Sequence, residues 1–216
     1  ASAGQYNLAT KTDGTLWAWG VNGQGQLGLG NTTYRSSPIQ VGALTTWVNI
    51  ACGLGHSIAT QTNGTLWTWG YNDKGPLGLG DTTSRSSPVQ VGALTTWLNV
   101  AGGLYSTYAT KTDGTLWAWG IGTSGELGDG ATVDKSSPIQ VGALTNWSKV
   151  GASRNGGLAI TTTGTLYAWG YNGNGQLGQG NTTPTSSPVQ VGALTTWNVL
   201  SKNYGGSRST LVTTKG

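Results

Sequence analysis

Short runs that alternate apolar and polar residues recur along the chain, each bounded by turn-forming residues. In one stretch they are Trp47–Ala51, Ser57–Thr62, Thr65–Trp69 and a run that begins at Pro88–Val91. An alternation with a period of two predicts β-strands, and no window shows the 3.6-residue period of an amphipathic helix. The pair Asn63–Gly64 predicts a hairpin turn, since Asn-Gly adopts positive φ readily. The pattern therefore predicts an all-β chain.

The same pattern returns every 50 residues. The string GTLW begins at Gly14, Gly64 and Gly114, and the near-copy GTLY begins at Gly164. Four short strands per 50-residue unit are typical of a β-propeller blade. We expect residues 1–216 to form a single repeat domain. Its units are residues 1–50, 51–100, 101–150 and 151–200, followed by a partial unit at 201–216.

Tryptophan and glycine occupy fixed columns of the repeat. Trp67 and Trp69 are two residues apart and are predicted to point to one face of a strand, with Leu66 and Thr68 on the other. A blade packs both faces against its neighbours, so we assign these columns structural roles. The structural residues are Trp17, Trp19, Trp47, Trp67, Trp69, Trp97, Trp117, Trp119, Trp147, Trp169, Trp197, Gly20, Gly70, Gly120 and Gly170.

Strand counting leaves two architectures open, a closed ring of four four-stranded blades or a part of a larger propeller. Trp197–Leu200 has the pattern of the first strand of a further blade, and Ser209–Lys215 resembles its second strand. Residues 5–46 supply strands two to four of a blade without a first strand. A closed ring would contain the second strand twice. The count therefore favours a fragment, or a chain that assembles through its terminal strands.

Composition and charge exclude several classes of protein. Charged residues make up 8% of the chain, against about 25% in ordinary soluble domains. The net charge of +4 comes from 11 Lys and Arg against 7 Asp and Glu, without a Lys/Arg run, so nucleic-acid binding is not expected. No stretch approaches 18 apolar residues, which argues against membrane insertion. The chain has no Met and no leader-like N-terminus, so we expect it to be processed, excised or incomplete.

The only histidine and the only cysteine do not suggest an active site. His56 has no neighbouring nucleophile and carboxylate in a catalytic pattern, so a buried or loop-anchoring role is predicted. Cys52 stands where the other units carry Ser2, Gly102 and Ala152, which predicts a small packing residue. We expect no catalytic residue, no metal site and no cofactor.

Two further motifs have a chemical and a structural interpretation. Glu126, Asp129 and Asp134 cluster in the third unit, which predicts a solvated loop; the alternative is a calcium or partner contact, but the spacing matches no calcium loop. The glycine-rich segment at Gly25–Gly30 lacks the Gly-Lys-Ser/Thr of a phosphate-binding loop and precedes no predicted helix. Its glycines are predicted to permit tight turns, and its leucine to anchor the loop in the blade.

The positions that differ between units are the best candidates for partner binding, because a repeat scaffold can vary its functional side chains only where the units differ. They are predicted to lie in the loops between strands one and two and between strands three and four. Free drift of exposed loops is the alternative. The residues with interface chemistry are Tyr34, Arg35, Arg85, Tyr105, Tyr108, Asp134, Lys135 and Arg154.

The repeat resembles that of the regulator of chromosome condensation family. The resemblance rests on LWAWGVNGQGQLGLG at 16–30, SSPIQV at 36–41 and WVNIACGLGHSIAT at 47–60, and it recurs in all four units. It implies a β-propeller, usually of seven blades. Members include a chromatin-bound guanine-nucleotide exchange factor, a plant ultraviolet-B photoreceptor and a secreted bacterial β-lactamase inhibitor, so the fold does not fix the function. The family's H-S-x-A motif survives only at His56–Ala59, and the photoreceptor's Gly-Trp-Arg-His-Thr motif is absent.

The low charge and near-identical units predict a non-enzymatic binding or structural module. We expect a component of a bacterial surface or a bacteriophage virion, such as an adhesin or fibre, that binds a protein or glycan partner outside the cell. The alternative is a regulatory scaffold that binds a small GTPase or chromatin. An enzyme is disfavoured because no convergent set of titratable groups, of the kind that an active site needs, repeats or clusters.

Overall fold

A computed structural model describes residues 1–3, 5–200 and 212–214, the last range by its backbone alone. Every regular element in these ranges is a β-strand. Blade 1 contains β1 (Tyr6–Thr10), β2 (Leu16–Gly20) and β3 (Arg35–Gln40). Blade 2 contains β4 (Trp47–Cys52), β5 (His56–Gln61), β6 (Leu66–Gly70) and β7 (Arg85–Gln90). Blade 3 contains β8 (Trp97–Gly102), β9 (Ser106–Lys111), β10 (Leu116–Gly120) and β11 (Lys135–Gln140). Blade 4 contains β12 (Trp147–Ser153), β13 (Gly156–Thr161), β14 (Leu166–Gly170) and β15 (Thr185–Gln190), and blade 5 contains β16 (Trp197–Leu200) and β17 (Val212–Thr214).

The sheets are antiparallel meanders, as the alternating pattern predicts. Blades 2, 3 and 4 each have four strands in sequence order, and the hairpin between β5 and β6 turns at Asn63–Gly64. The φ angle of Gly64 is 76°, and that of its equivalent in the first unit, Gly14, is 78°. Both lie in the left-handed region that glycine adopts without a steric penalty. The predicted propeller blades are therefore confirmed.

The position of Pro88 corrects one expectation. The fourth strand of blade 2 was expected to begin at the proline, but it begins at Arg85 and Pro88 lies inside it. This strand is the outer edge of its sheet, and its pairing with β6 shifts register between Thr68 and Gly70. Proline is tolerated at such an edge because its missing N–H removes no necessary hydrogen bond of the ladder.

The hydrophobic core lies between blades rather than within one sheet. Four clusters of buried side chains each join residues of two successive blades. In the cluster between blades 2 and 3, Ile58 and Leu66 pack with Trp97 and Trp119 of the following blade. Trp47 contacts both Trp67 and Trp69, at ring-centroid distances of 6.0 and 6.1 Å. The two tryptophans therefore share one face of β6, as predicted.

One hydrogen-bonding pattern recurs at three successive interfaces, those between blades 1 and 2, blades 2 and 3, and blades 3 and 4. The indole nitrogens of Trp69, Trp119 and Trp169 each donate to a backbone carbonyl of the preceding blade, at 2.9, 2.8 and 2.9 Å. The acceptors are the carbonyls of Gln26, Pro76 and Glu126. Each carbonyl also accepts a hydrogen bond from a side-chain hydroxyl. The buried carbonyl therefore has two donors, which hold its loop against the next blade.

The second donor changes its origin at the third interface. Ser57 and Thr107 supply the hydroxyl at the first two interfaces, at 2.7 and 2.8 Å. The equivalent residue in blade 4 is Gly157, which has no hydroxyl. There the hydroxyl of Tyr108, from the preceding blade, donates to the Glu126 carbonyl at 2.7 Å. The tyrosine therefore replaces the donor that the glycine lacks.

Replacing Tyr108 with phenylalanine is expected to lower the free energy of unfolding by about 2 kcal/mol. Two buried hydrogen bonds are lost while the ring remains, the one donated to the Glu126 carbonyl and the one accepted from the Ser106 hydroxyl. Chemical denaturation followed by tryptophan fluorescence measures the change. Tyr34→Phe is the matched control, since the Tyr34 side chain is exposed, and it should leave stability unchanged. Equal stability of the wild type and Tyr108→Phe would contradict the role assigned to this hydroxyl.

The blades form an open arc, which excludes the closed four-blade ring. β4, β8, β12 and β16 each contact the first strand of a neighbouring blade and line the inside of the arc. Blade 1 has three strands and blade 5 two, and no pairing joins them in the described ranges. Ala1 already hydrogen-bonds Leu8 in both directions, at 2.9 and 3.0 Å, on the edge of β1 that a closing strand would use. Of the expected strand Ser209–Lys215, Val212–Thr214 is described and pairs with β16; the rest lies outside the described residues.

Candidate functional site

The meander places two kinds of loop at one edge of every blade. We call this edge the loop face; it comprises loops 53–55, 103–105 and 154–155 between first and second strands, and loops 21–34, 71–84, 121–134 and 171–184 between third and fourth strands. The opposite edge, the turn face, comprises the turns between second and third strands and the connections 41–46, 91–96, 141–146 and 191–196 between blades. All the sequence-predicted partner residues except Tyr108 lie on or beside the loop face.

The two faces differ in how strictly they repeat. The connection on the turn face reads VGALTT in units one, two and four and VGALTN in unit three. The short loops on the loop face read Gly-Leu-Gly at 53–55, Gly-Leu-Tyr at 103–105 and Arg-Asn at 154–155. Chemical differences between units are therefore concentrated at one edge of the molecule, where loops on a rigid scaffold commonly carry function.

An asparagine organises the long loop of three units. In unit two, the side-chain nitrogen of Asn72 donates to the carbonyls of Asp81 and Thr83 at 3.0 and 3.1 Å, and its oxygen accepts the Leu77 N–H at 3.0 Å. Leu77 is fully buried, so it anchors the loop as predicted. In unit three a glycine, Gly122, replaces this asparagine. Three of the long loops are thus held from within by a buried amide and an apolar anchor, and that of unit three has the apolar anchor, Leu127, without the amide.

The glycines of the long loop permit its close approach to the next blade. Gly78 has a φ of 70°, and a Cβ atom there would lie 2.7 Å from the indole nitrogen of Trp119. The N–H of Gly80 donates to the carbonyl of Ser136 in blade 3 at 2.8 Å. Among the glycines assigned structural roles, the φ values are 112°, 99°, 105° and 108° at Gly20, Gly70, Gly120 and Gly170.

The candidate tyrosines fall into three environments. Tyr34 is 62% exposed on the loop face. Tyr105 is partly buried and its ring packs on Tyr71 of the preceding blade, with centroids 5.0 Å apart. Tyr108 was predicted to be a partner-binding residue, and this is wrong. It lies in β9, is fully buried between blades and donates to the Glu126 carbonyl, so a partner could not reach it. Its column carries Leu8, Ile58 and Leu158 in the other units, a signal of burial.

The candidate charges separate into paired and unpaired groups. Arg85 forms an ion pair with Asp81 at 2.7 Å and donates to the Thr83 carbonyl at 2.7 Å. The Thr83 N–H, and then Arg85, hold the pKa of Asp81 below its usual value. Asp134 lies 3.8 Å from Lys74. In the ranges that the structure describes, the remaining candidate cations Arg35, Lys135 and Arg154 form no ion pair.

The acidic cluster of the third unit lies in a loop, as predicted, with Asp129 and Asp134 partly exposed, but its carboxylates also hold the loop together. Glu126 is buried, and its carboxylate accepts the Ser124 N–H at 2.6 Å. Asp129 accepts the Ala131 N–H and Asp134 the Gly122 N–H, both at 3.0 Å. These three carboxylates satisfy backbone donors of one loop. No group of three His, Cys, Asp or Glu side chains in the described part of the chain could hold a metal ion.

The only histidine and the only cysteine lie in the interior. His56 is fully buried, with its Nε2 atom 3.0 Å from the Thr107 hydroxyl, and burial lowers its pKa to about 3. Burial likewise raises the pKa of the Cys52 thiol to about 12, so it is protonated at neutral pH and a poor nucleophile. Both residues pack between blades, as the sequence predicts. Within the same described residues, no helix is long and apolar enough to cross a membrane.

A polar pocket of about 240 Å³ opens on the loop face of blade 4. It lies between the short loop at 154–155 and the long loop at 171–184. Of the sequence-predicted residues only Arg154 is part of it. Its lining consists of Ser153, Arg154, Asn155, Tyr171, Asn174 and Gln176. The other five were not among the predicted residues, although unit four carries Ser-Arg-Asn at 153–155 where units two and three carry Gly-Leu-Gly and Gly-Leu-Tyr.

Two larger grooves lie between blades on the outer side of the arc. One, of about 520 Å³, is lined by Leu44, Trp47 and Trp67, and its equivalent 50 residues later, of about 560 Å³, by Leu94, Trp97 and Trp117. The indole nitrogens of Trp47 and Trp97 are buried without a hydrogen-bond partner. These grooves repeat with little change, whereas the pocket at Arg154 depends on residues specific to unit four.

Solved propeller structures share this fold. Human WBSCR16 superposes with a TM-score of 0.87 at 22% identity, over 100% of this chain and 57% of the other. Prp20p from Saccharomyces cerevisiae superposes with a TM-score of 0.81 at 21% identity, over 93% of this chain and 52% of the other. Yeast RCC1 (Prp20) bound to Kap60 gives 0.80 at 21% identity, over 94% and 50%. The chain thus spans about half the length of these proteins, and the similarity shows the fold.

The sequence model described as the regulator of chromosome condensation (RCC1) repeat matches the chain in four tandem copies. The matched residues are 13–60, 63–110, 113–160 and 163–212. Together they cover most of the 216 residues, in agreement with the repeat period and the blades described above. The chain therefore belongs to the RCC1 repeat family.

Proposed function

We propose that this chain is a non-enzymatic binding module, displayed at a bacterial or bacteriophage surface, that holds a protein or glycan partner on its loop face. The observation that carries the proposal is the contrast between the faces. The turn face repeats almost unchanged, while the loop face places different side chains on the same backbone in each unit. Such a division suits recognition on a constant scaffold.

The rigidity of the loops supports binding. Each long loop is held by its buried leucine, and those of units one to three are also held by a hydrogen bond to the following blade, such as Gly30 N–H to the Ser86 carbonyl at 2.8 Å. A loop that is ordered before binding loses less conformational entropy when a partner arrives. Tyr34 and Arg154 are exposed on this ordered frame, and tyrosine and arginine are enriched among residues that dominate binding energy.

Labelled protein is expected to bind isolated bacterial envelopes or an array of surface glycans through the loop face. Tyr34→Ala should weaken this binding at least tenfold, since about 1.4 kcal/mol of contact energy corresponds to that factor. Leu44→Ala, which changes an exposed leucine of the turn face, is the matched control and should bind as the wild type does. Binding curves on envelopes and array measure both. Loss of binding in the turn-face variant alone would overturn the assignment of the loop face.

Surface display is a separate part of the proposal. Immunogold electron microscopy of the source cells and virions should place the label on the envelope or the particle. Label confined to a nucleus would reject surface display.

A regulatory scaffold that binds a small GTPase or chromatin is the second candidate. Its support is the structural similarity to Prp20p, a protein whose structure was reported with its binding properties to Gsp1p and histones. Pull-downs with purified small GTPases and with nucleosomes, at several salt concentrations, separate the candidates. The first proposal predicts no retention; salt-sensitive retention of either probe would favour the second.

A further inference from the structure

The pocket on blade 4 presents a cation without an ionic partner. Arg154 is exposed and forms no ion pair in the described ranges. It shares this property with Arg35 and Lys135 but differs from Arg85 and Lys74, which pair with Asp81 and Asp134; of these five cations, Arg154 alone lines the pocket on blade 4. The positive charge of this guanidinium can therefore attract an anionic group that enters the pocket.

The backbone beneath Arg154 is anchored at two points. Its carbonyl accepts the N–H of Leu104 from blade 3 at 3.2 Å. The neighbouring carbonyl of Asn155 accepts the Tyr171 N–H at 2.9 Å, which joins the short loop to the long loop of the same blade. The side chains of both loops thus project from a fixed base, which lowers the entropy lost when they bind a ligand.

The rest of the lining offers neutral hydrogen-bonding groups. Asn155, Asn174 and Gln176 contribute amides and Tyr171 a hydroxyl. The Ser153 hydroxyl already donates to the Gly156 carbonyl at 3.2 Å, so it offers a ligand an acceptor. The Gln176 side-chain oxygen already accepts the Asn174 N–H at 2.9 Å, so its amide nitrogen is the group left for a ligand. A set of amides and hydroxyls around one guanidinium matches a ligand that carries several hydroxyls and a single carboxylate.

We propose that this pocket is a subsite for one hexuronate residue of an acidic glycan. The planar guanidinium of Arg154 can bind a carboxylate through two parallel N–H donors. The amides and hydroxyls of the lining bind the ring hydroxyls, and a volume of about 240 Å³ accommodates one sugar residue rather than a longer segment. The proposal rests on the proposed function in taking a glycan as the partner, and it names the chemistry of that partner.

Titration of the whole chain with glucuronate tests the subsite, with glucose, acetate, glutamate and inorganic phosphate as parallel probes. Calorimetry gives the affinities, and amide NMR shifts identify the residues that respond. Glucuronate should bind at least tenfold more tightly than each of the other four, with the largest shifts at Arg154, Asn155 and Asn174. Glucose lacks the carboxylate, and acetate and glutamate lack the sugar ring. Inorganic phosphate lacks both and tests whether the pocket binds any anion.

Three variants locate the interaction. Arg154→Leu introduces the residue that units two and three carry at Leu54 and Leu104, so the blade should fold, and glucuronate affinity should fall at least tenfold. Arg154→Lys keeps the charge but loses the planar fork, and a smaller loss is expected. Lys11→Leu removes one positive charge on the turn face, beside Trp17, and should leave the affinity unchanged.

The outcomes separate the subsite from the proposed function. Phosphate binding as tight as glucuronate would replace the carboxylate assignment, and glutamate binding as tight would replace the sugar with an acidic protein side chain; either overturns the proposal. Absence of glucuronate binding, or full binding by Arg154→Leu, overturns it as well. If Tyr34→Ala still loses envelope binding in those cases, the binding module stands and only the subsite is wrong.

Discussion

Replacing Trp119 with alanine is expected to lower the free energy of unfolding by about 4 kcal/mol. The Trp119 ring is fully buried between blades 2 and 3 and packs edge-on against Trp97 at 5.9 Å. Its indole donates to the Pro76 carbonyl at 2.8 Å. Truncation therefore leaves a cavity and removes one of the two donors to a buried acceptor. Guanidinium denaturation followed by circular dichroism measures the change.

Trp19→Ala is the matched control for this prediction. Trp19 occupies the same column in blade 1 but is only partly buried, so less apolar area is exposed to water on its removal. We expect its loss of stability to be about half that of Trp119→Ala. Equal losses would contradict the assignment of the interface between blades as the main source of stability.

Lowering the pH from 7 to 5 is expected to destabilise the fold by about 2 kcal/mol through His56 alone. Burial lowers the pKa of this histidine to about 3, against an ordinary value of 6.5. The Ser106 backbone favours the protonated ring, but this effect is smaller than the cost of burying the charge. Between these two pKa values the unfolded chain binds the proton and the folded chain does not. Stability is therefore lost as the pH falls below 6.5.

His56→Ser isolates this effect, because unit three carries Ser106 in the same column. The variant should be less stable at pH 7, since it loses packing and the contact with Thr107. Its stability should nevertheless change little between pH 7 and 5. Both proteins carry the same carboxylates, so the difference between their pH dependences is attributable to the residue at position 56. A similar decline in the wild type and the variant would show that another group is responsible.

The local features of the fold could be predicted from the sequence because they arise within one unit. The alternation of apolar residues predicted the strands at Ser57–Thr62 and Thr65–Trp69, and Asn63–Gly64 predicted the hairpin between them. The start of the fourth strand could not be placed correctly, since a proline inside a strand is tolerated only at an edge. Which strand forms an edge depends on the whole sheet.

The candidate site was less predictable, because its contacts join residues far apart in the chain. Lys74 of blade 2 forms an ion pair with Asp134 of blade 3, and Tyr71 of blade 2 packs against Tyr105 of blade 3. The burial of Tyr108 could have been inferred from the apolar residues in its column. Likewise, the pocket around Arg154 was signalled by the departure of unit four at 153–155. In both cases, comparison of the units within this one chain contained the missing information.

The bond from each interface tryptophan to the preceding blade always spans 43 residues. Because the sequence repeats every 50 residues, duplication or deletion of one whole unit gives each of these donors an acceptor of the same kind at the same separation. An insertion of another length would separate the indole from its carbonyl. This arrangement favours evolutionary growth in complete units, while the exposed loops can change by single substitutions without breaking these bonds.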